Sequence, residues 1–303
     1  MIKHIFKPDD YIHADTEKTL VLIDWSNLMY RAWFSSKEQS LLAYLRFFDM
    51  VRACVHRSKQ QGVPLEVIFC GESRTPLKRL EIDPTYKSNR TVPRNDEFRE
   101  YRQELCHILE LLGWRIVSVP AAEADDVIAS ITSQVCHRCT CKVKCENCTC
   151  QEKYKTDVVI FSGDRDLQQL LAWDRVLIWR YPGIFVTKES FEDEYNIPVK
   201  QYTAYKALVG DKSDNISGVH GVGPVNACTM LSEGGLMLEE RLLELGNHAI
   251  EEFNKSYSLV KLDNGLNVEI PEFRMPNNFS DILNDDIVLA VKRLLIEFED
   301  RSV

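Results

Sequence analysis

Four apolar runs between residues 19 and 166 each end in carboxylates: TLVLID, LEVIFCGE, WRIVSVPAAEADD and TDVVIFSGDRD. Short runs of this kind read as buried strands, and amphipathic helical stretches separate one from the next. The alternation predicts an α/β fold with a mostly parallel, doubly wound sheet, whose functional crevice lies at the strand C-termini. Asp24, Glu72, Glu123, Asp125, Asp126, Asp164 and Asp166 are therefore expected at one edge of the sheet, and Asp211 and Asp214 follow in a later loop. Carboxylates crowded in this way resist ionisation unless cations sit among them. A pair of Mg²⁺ or Mn²⁺ ions is the simplest partner for so many hard oxygen ligands, and it points to metal-dependent phosphodiester hydrolysis. The competing reading is that each acid merely stabilises a helix N-terminus. It accounts for any one of them but not for the whole ordered set.

The net charge of −9 looks unfavourable for a nucleic-acid partner until its distribution is examined. Residues 231–303 hold 15 acids and 7 bases, which leaves 31 acids and 30 bases in residues 1–230. Without the nine crevice acids, 22 acids face 30 bases there, so an acidic pocket lies within a basic surround that suits a phosphate backbone. No apolar run reaches the roughly 18 residues of a membrane span. The N-terminus lacks a signal-peptide core, so the expected location is the cytoplasm, that of the host if the chain is phage-encoded.

Further elements follow from pattern. Ser40 can cap a long helix closed by Gly62, and a helix over about 96–112 ends at Gly113. RVLIWRYP and GIFVTKES read as two more strands, and helices dominate from about 198. Residues 1–197 thus form the α/β core and 198–303 a helical region packed against it.

Three features stand outside this pattern. Between 74 and 102, Arg74, Lys78, Arg79, Lys87, Arg90, Arg94, Arg99 and Arg102 are interleaved with Tyr86, Phe98 and Tyr101. Such a stretch suits phosphates and stacked bases, but its five acids also fit a solvated, charge-mixed surface. Gly218, Gly221 and Gly223, before Pro224, make either a plain turn or a close phosphate approach at a helix N-terminus. Finally, C-H-R-C-T-C and C-E-N-C-T-C repeat one pattern within residues 136–150. Cys136, Cys139, Cys145 and Cys148 are natural ligands for one tetrahedral Zn²⁺, against disulfides, redox chemistry or free thiols.

LIDWSNLMYR, DPTYKSNR, AAEADDVIAS, FSGDRDLQQLL and YKALVGDKSDNISGVHGVGP span about residues 19–230, with weaker agreement at YSLVKLD (257–263). Together and in order they resemble the 5′-nuclease superfamily. That superfamily includes phage 5′–3′ exonucleases, the phage RNase H type, the 5′-nuclease domain of bacterial DNA polymerase I, and flap endonucleases. The resemblance implies two divalent-metal clusters in one cleft, a first of Asp24, Glu72, Glu123, Asp125 and Asp164 and a second of Asp126, Asp166, Asp211 and Asp214. Glu72 departs from the Asp usual there. The resemblance also implies a helical arch over about 73–104 that passes a single-stranded 5′ end, with Lys87 and Arg90 as catalytic groups on the scissile phosphate. Tyr86, Arg31 and Lys206 would contact nucleic acid. A helix–hairpin–helix over about 205–232, through Gly218, Gly221 and Gly223, would grip duplex and bind K⁺. The cysteine insert has no family counterpart and is expected to be an accessory.

The expected function is a structure-specific 5′ nuclease using two Mg²⁺ or Mn²⁺ ions on DNA with a 5′ end, flap or gap, or on RNA–DNA hybrids. Primer or flap removal in replication, or recombination, is the expected setting, for a stand-alone phage-type monomer. A replisome protein could meet the acidic C-terminal region. A PIN-like ribonuclease and a non-catalytic nucleic-acid-binding module are the alternatives. The glycine hairpin and basic stretch disfavour the first, and the intact acid set disfavours the second.

Overall fold

The computed structural model describes residues 13–73, 77–90, 96–114, 116–136, 155–232 and 235–270. One six-stranded sheet runs in the order β3-β2-β1-β4-β5-β6. Its strands are β1 (Lys18–Asp24), β2 (Leu65–Cys70), β3 (Ile116–Val117), β4 (Thr156–Phe161), β5 (Val176–Arg180) and β6 (Ile184–Val186). Every pairing is parallel except β5 with β6, which form an antiparallel hairpin. The chain builds outward from β1 to β3, then returns to place β4 on the other side of β1. That reversal opens the crevice between the C-terminal ends of β1 and β4.

The strands read as unbroken apolar runs because both faces of the sheet are covered. Leu20 and Leu22 join one core while Val21 and Ile23 join the other. The first face carries α5 (Ala124–Cys136), a 3₁₀ turn (Asp166–Ala172), α7 (Tyr202–Val209) and α8 (Pro224–Ser232). The second carries α1 (Trp25–Ser35), α2 (Ser40–Ser58) and α4 (Asp96–Leu111). The short α3 (Arg79–Ile82), α6 (Lys188–Tyr195), α9 (Gly235–Leu245) and α10 (Asn247–Val260) complete the described helices.

Aromatic rings dominate the second core. Trp25 meets Phe47 edge-on at 5.5 Å between ring centres, and Trp33 lies 5.3 Å from Phe98 and 5.1 Å from Tyr101. Each such buried ring contributes about 1.5–3 kcal/mol. The packing corrects one expectation. Phe98 and Tyr101 are 4% and 0% exposed, so this part of the basic stretch is core and offers no ring to an unpaired base. Ser40 is also not a cap. Gln39 holds that position without a side-chain bond, and α2 stops at Ser58 because Lys59 turns extended, ahead of Gly62.

Helix α5 leaves the crevice and runs about 20 Å at 1.5 Å per residue, ending at Cys136 beneath the sheet. There burial pushes the Cys136 thiol up to about 12, with Asp157 at the start of β4 adding to the shift. Cys139, Cys145 and Cys148 lie outside the described residues, as does the acidic stretch 271–303. Among the described residues, no helix is long and apolar enough to cross a membrane.

Phe47 is fully buried against Trp25 and Phe69, so truncating it leaves a cavity. Phe47→Ala is expected to lower stability by about 3–5 kcal/mol in urea unfolding.

Candidate functional site

Strand ends and two loops deliver the acids. Asp24 closes β1 and caps α1, accepting from the Asn27 N–H at 3.0 Å and the Ser162 hydroxyl at 2.8 Å. Beyond β4 the chain turns tightly. The Asp164 N–H donates to the Ser162 hydroxyl at 3.0 Å, and the Asp166 N–H to Asp164 Oδ1 at 2.9 Å. Lys206 on α7 ion-pairs with Asp166 at 2.7 Å and donates to Asp211. Asp24, Asp164, Asp166 and Asp211 thereby form one group.

A second group gathers on α5. Glu123, Asp125 and Asp126 bring ligand-capable oxygens within 4.8 Å of one another. The buried Arg79 donates from Nη1 to Glu123 and Asp126, both at 2.6 Å, and from Nη2 to Asp126 Oδ1 at 2.7 Å. The Tyr86 hydroxyl lies 2.9 Å from Glu123 Oε2 and 3.2 Å from Asp214 Oδ2. Lys87 donates to Glu123 and sits 3.6 Å from Asp214, which also accepts from Arg90.

The segment carrying these cations is stitched onto the 211–215 loop. Asn89 donates to the Lys212 carbonyl at 2.6 Å, Asn215 to that of Thr85 at 2.8 Å, and the Lys87 N–H to that of Asp214 at 2.9 Å. Lys87 is held there at φ 56, a left-handed conformation costing a non-glycine residue about 1–2 kcal/mol. Asp83 opens the segment as a turn residue. Lys255 and Thr85 hold its carboxyl down at about 2.

Charge crowding is legible in the acids themselves. Burial, helped by Asp164 and Glu72, pushes Asp24 up to about 6. Burial also raises Asp166 to about 6 despite Lys206, with Asp164 and Asp211 adding to the shift. Asp125 is driven well above the usual carboxylate range by burial, then by Asp126 and Glu123. Burial opposes ionisation of Asp211 as well, but Lys206 and Ser213 outweigh it and hold that carboxyl low. Burial likewise opposes charge on Lys87, and the surrounding Glu123, Asp125 and Asp214 more than restore it.

These contacts divide the nine acids differently from the expected two clusters. Asp126 and Asp214 sit with Glu123, whereas Asp24 and Asp164 sit with Asp166 and Asp211. The charge of Asp164 acts on both Asp24 and Arg90, so the groups share one crevice. Glu72 is exposed, and its charge reaches Asp24 and Tyr30. Two residues expected to contact nucleic acid, Tyr86 and Lys206, are turned inward onto carboxylates. Tyr86 is 5% exposed with its hydroxyl between two carboxylates, so its face is not open to a base. Lys206 is 9% exposed and paired with Asp166 and Asp211 at the wall of the crevice. Arg31 is exposed and donates to the Tyr181 carbonyl at 3.2 Å, beside Gly163. Arg79, Ser162 and Asn27 were not singled out by sequence. Arg79 was one of eight bases in its stretch, with no spacing to separate it from the rest.

A cavity of about 490 Å³ adjoins the first group, lined by Asp164, Arg165, Tyr205, Lys206, Asp211 and Lys212. Beyond it α7 and α8 flank the glycine turn. Gly218 has φ 73, and a Cβ there would lie 2.5 Å from the Gly210 nitrogen. Two backbone segments meet at that point with no room for a side chain. Gly221 and Gly223 are exposed at the approach to α8.

Known proteins resemble this chain in sequence and in fold. The family described as 5′-3′ exonuclease, N-terminal resolvase-like domain, matches residues 19–196. A 5′-3′ exonuclease of Aquifex aeolicus is 30% identical over 267 residues, which cover 84% of this chain and 85% of that protein. The thermostable DNA polymerase I of Thermus filiformis is 28% identical over 224 residues, 72% of this chain but 24% of the polymerase. The chain thus spans about a quarter of that polymerase relative. The phage T5 5′-exonuclease with bound divalent metal ions (zinc) superposes with a TM-score of 0.62 at 21% identity, over 81% of this chain and 90% of that one. The phage T5 flap endonuclease, in a pseudo-enzyme–product complex with DNA and metal ions, gives 0.60 at 20% identity, over 92% and 98%. At these identities the superpositions establish a shared fold.

Because the folded-state value of Asp24 lies above the unfolded one, its ionisation opposes folding. In metal-free protein that cost is absent below about pH 4 and fully developed above about pH 6. Asp24→Asn should therefore stabilise metal-free protein at pH 7.5 by about 2–3 kcal/mol and lose that advantage towards pH 4, as read by urea unfolding at both pH values.

Proposed function

The chain belongs to the 5′-3′ exonuclease family, and we propose that it is a structure-specific nuclease hydrolysing phosphodiester bonds near the 5′ ends of DNA, with RNA–DNA hybrids as a second substrate. The observation that carries this reading is the gathering of two acid groups along one crevice, with Lys87 and Arg90 set against the second group and the charge of Asp164 in the first reaching Arg90. The donor set fits hard divalent ions, because Glu123, Asp125 and Asp126 offer oxygens within 4.8 Å and Asp24, Asp125 and Asp166 resist ionisation without an added cation. Asp24, Asp164, Asp166 and Asp211 on one side, and Glu123, Asp125 and Asp214 on the other, would between them hold or orient two Mg²⁺ or Mn²⁺ ions. Such ions, when bound, supply an activated water and neutralise the leaving oxygen.

The chain's own residues bring the phosphate to that point. Lys87 and Arg90 neutralise the carboxylates in this structure, and their ammonium and guanidinium are placed to turn to a phosphate entering the crevice. Arg31 lies on the Tyr181 side, where it would meet the backbone next along. The paired helices α7 and α8, with Gly218, Gly221 and Gly223 between them, would hold the duplex as a helix–hairpin–helix, through exposed backbone N–H groups and K⁺ on carbonyls. The setting that suits this chemistry is primer or flap removal in replication.

The cysteine repeat is read separately. Cys136, Cys139, Cys145 and Cys148 would bind one structural Zn²⁺, attached at the end of α5 remote from the acids.

Mg²⁺-dependent cutting of 5′-flap, gapped, hybrid and single-stranded substrates tests the main reading. Asp164→Asn should reduce it by more than the roughly 10- to 100-fold typical of losing an outer-shell partner. Absence of Mg²⁺-dependent cutting by the wild type, or survival of activity in that variant, would overturn the proposal. For the insert, elemental analysis of protein purified without added metal should give one Zn²⁺ per chain, lost in Cys145→Ser/Cys148→Ser while the metal-dependent cutting persists.

A further inference from the structure

Arg79 uses every N–H of its guanidinium. Besides its bonds to Glu123 and Asp126, Nε donates to the Leu259 carbonyl at 2.8 Å and Nη2 to the Lys261 carbonyl at 3.0 Å. These carbonyls lie at the end of α10, so one side chain joins α3, the acid-bearing start of α5 and the close of α10. The segment after α10 then follows α5 turn by turn. The Asp263 N–H donates to Asp126 Oδ1 at 2.9 Å. Ser130 donates to the Asp263 carbonyl at 2.8 Å and accepts from the Leu266 N–H at 3.2 Å, and Gln134 donates to the Leu266 carbonyl at 3.0 Å. Residues 126, 130 and 134 recur at the four-residue spacing that lines one helix face. Leu262 and Val268, at 6% and 4% exposure, anchor the same segment in the core.

Asp126 differs from Glu123 in what holds it: Glu123 shares its oxygens among Arg79, Tyr86 and Lys87, whereas Asp126 is held by Arg79 and a backbone N–H. Arg79 occupies both of its oxygens in a fork, and the Asp263 N–H adds a third bond. Asp125, one residue earlier, has no bond to Arg79 among the described residues and accepts instead from the Asp126 N–H at 2.8 Å. We propose that Arg79 is a positioning residue for the crevice, with Asp126 serving as its strut rather than as a metal ligand. The pair aims Glu123 and Asp125 at the ion and ties them to the Leu259–Leu266 segment. The backbone of Arg79 also receives the Asp83 N–H at 3.0 Å, which fixes the start of the segment bearing Lys87 and Arg90. A point-like ammonium cannot reproduce a five-donor fork, so the role is specific to arginine. This inference rests on the metal-nuclease reading for its effect on turnover, but not for its geometry.

The test uses the full chain as wild type, Arg79→Lys, Asp126→Asn and Asp125→Asn. Three readouts are taken: Mn²⁺ titration by electron paramagnetic resonance, hydrogen–deuterium exchange, and steady-state cleavage of a 5′-flap duplex. Arg79→Lys should lower kcat by about 10- to 100-fold, the range for outer-shell partners. Its KM should stay within about threefold, as for a loss confined to the transition state. Asp126→Asn should slow turnover similarly yet hold Mn²⁺ affinity within about threefold, whereas Asp125→Asn loses that affinity by about 10-fold or more. Exchange should rise across 259–266 and 124–134 in the Arg79 and Asp126 variants. The proposal is overturned if Asp126→Asn weakens Mn²⁺ as much as Asp125→Asn does. It is equally overturned if Arg79→Lys turns over at the wild-type rate per folded molecule, whatever its melting temperature. If the wild type cuts nothing, the nuclease reading fails, and Mn²⁺ affinity together with exchange still decides whether Asp126 is strut or ligand.

Discussion

Mutual repulsion among buried carboxylates is the constraint around which this molecule is arranged. A parallel sheet that reverses between β1 and β4 gathers Asp24 and Asp164 at one edge, and α5 adds Glu123, Asp125 and Asp126. Left alone, such a set would protonate or force the crevice open. The fold answers with cations from three directions. Arg79 reaches in from α3, Lys87 and Arg90 from the following turn, and Lys206 from α7. Each also fastens its own element to another: α3 to α5 and the end of α10, the following turn to Glu123 and the 211–215 loop, and α7 to the turn beyond β4. The same ion pairs that quiet the acids thus dock the C-terminal helices onto the α/β core.

Much of this was readable from residues alone, for definable reasons. TLVLID and TDVVIFSGDRD are continuous apolar runs because both sheet faces are covered, and that signature carried the fold class. The acids were legible because a charge at the end of a buried strand has few bland explanations. Partnership was not legible. Nothing in the spacing shows that Tyr86 is turned inward between Glu123 and Asp214, or that Lys206 folds back onto Asp166 and Asp211. The Tyr86 contacts and the Lys206–Asp166 pair join segments more than 35 residues apart in sequence; Asp211 lies only five residues beyond Lys206, across a turn whose closure the spacing does not show. Composition misled at Phe98 and Tyr101 for a related reason. An aromatic in a basic stretch suggests stacking on bases, yet helical spacing on α4 turned these rings to Trp33 and Tyr44.

The two groups of acids also differ in what holds them. Asp24, Asp164 and Asp166 are fixed mainly at the adjoining ends of β1 and β4, through Asn27, Ser162 and local N–H groups, with Lys206 added on Asp166. Glu123, Asp126 and Asp214 are fixed by side chains borrowed from distant segments. The first group is therefore as rigid as the strand ends that carry it. The second is only as rigid as the docking of residues 83–90 and of the segment after α10. Opening a path for a nucleic-acid strand would disturb the second group and spare the first.

Helix α5 spans the molecule from its acids to Cys136, and β4 begins on that same far side at Thr156. The described chain thus leaves α5 at Cys136 and resumes at the start of β4, both about a helix length from the crevice. A sequence grafted there can be lengthened, exchanged or given its own ligand without resetting the geometry that the chemistry requires. The architecture separates a mount from a machine: a change at one end of α5 is a helix length away from the acids at the other.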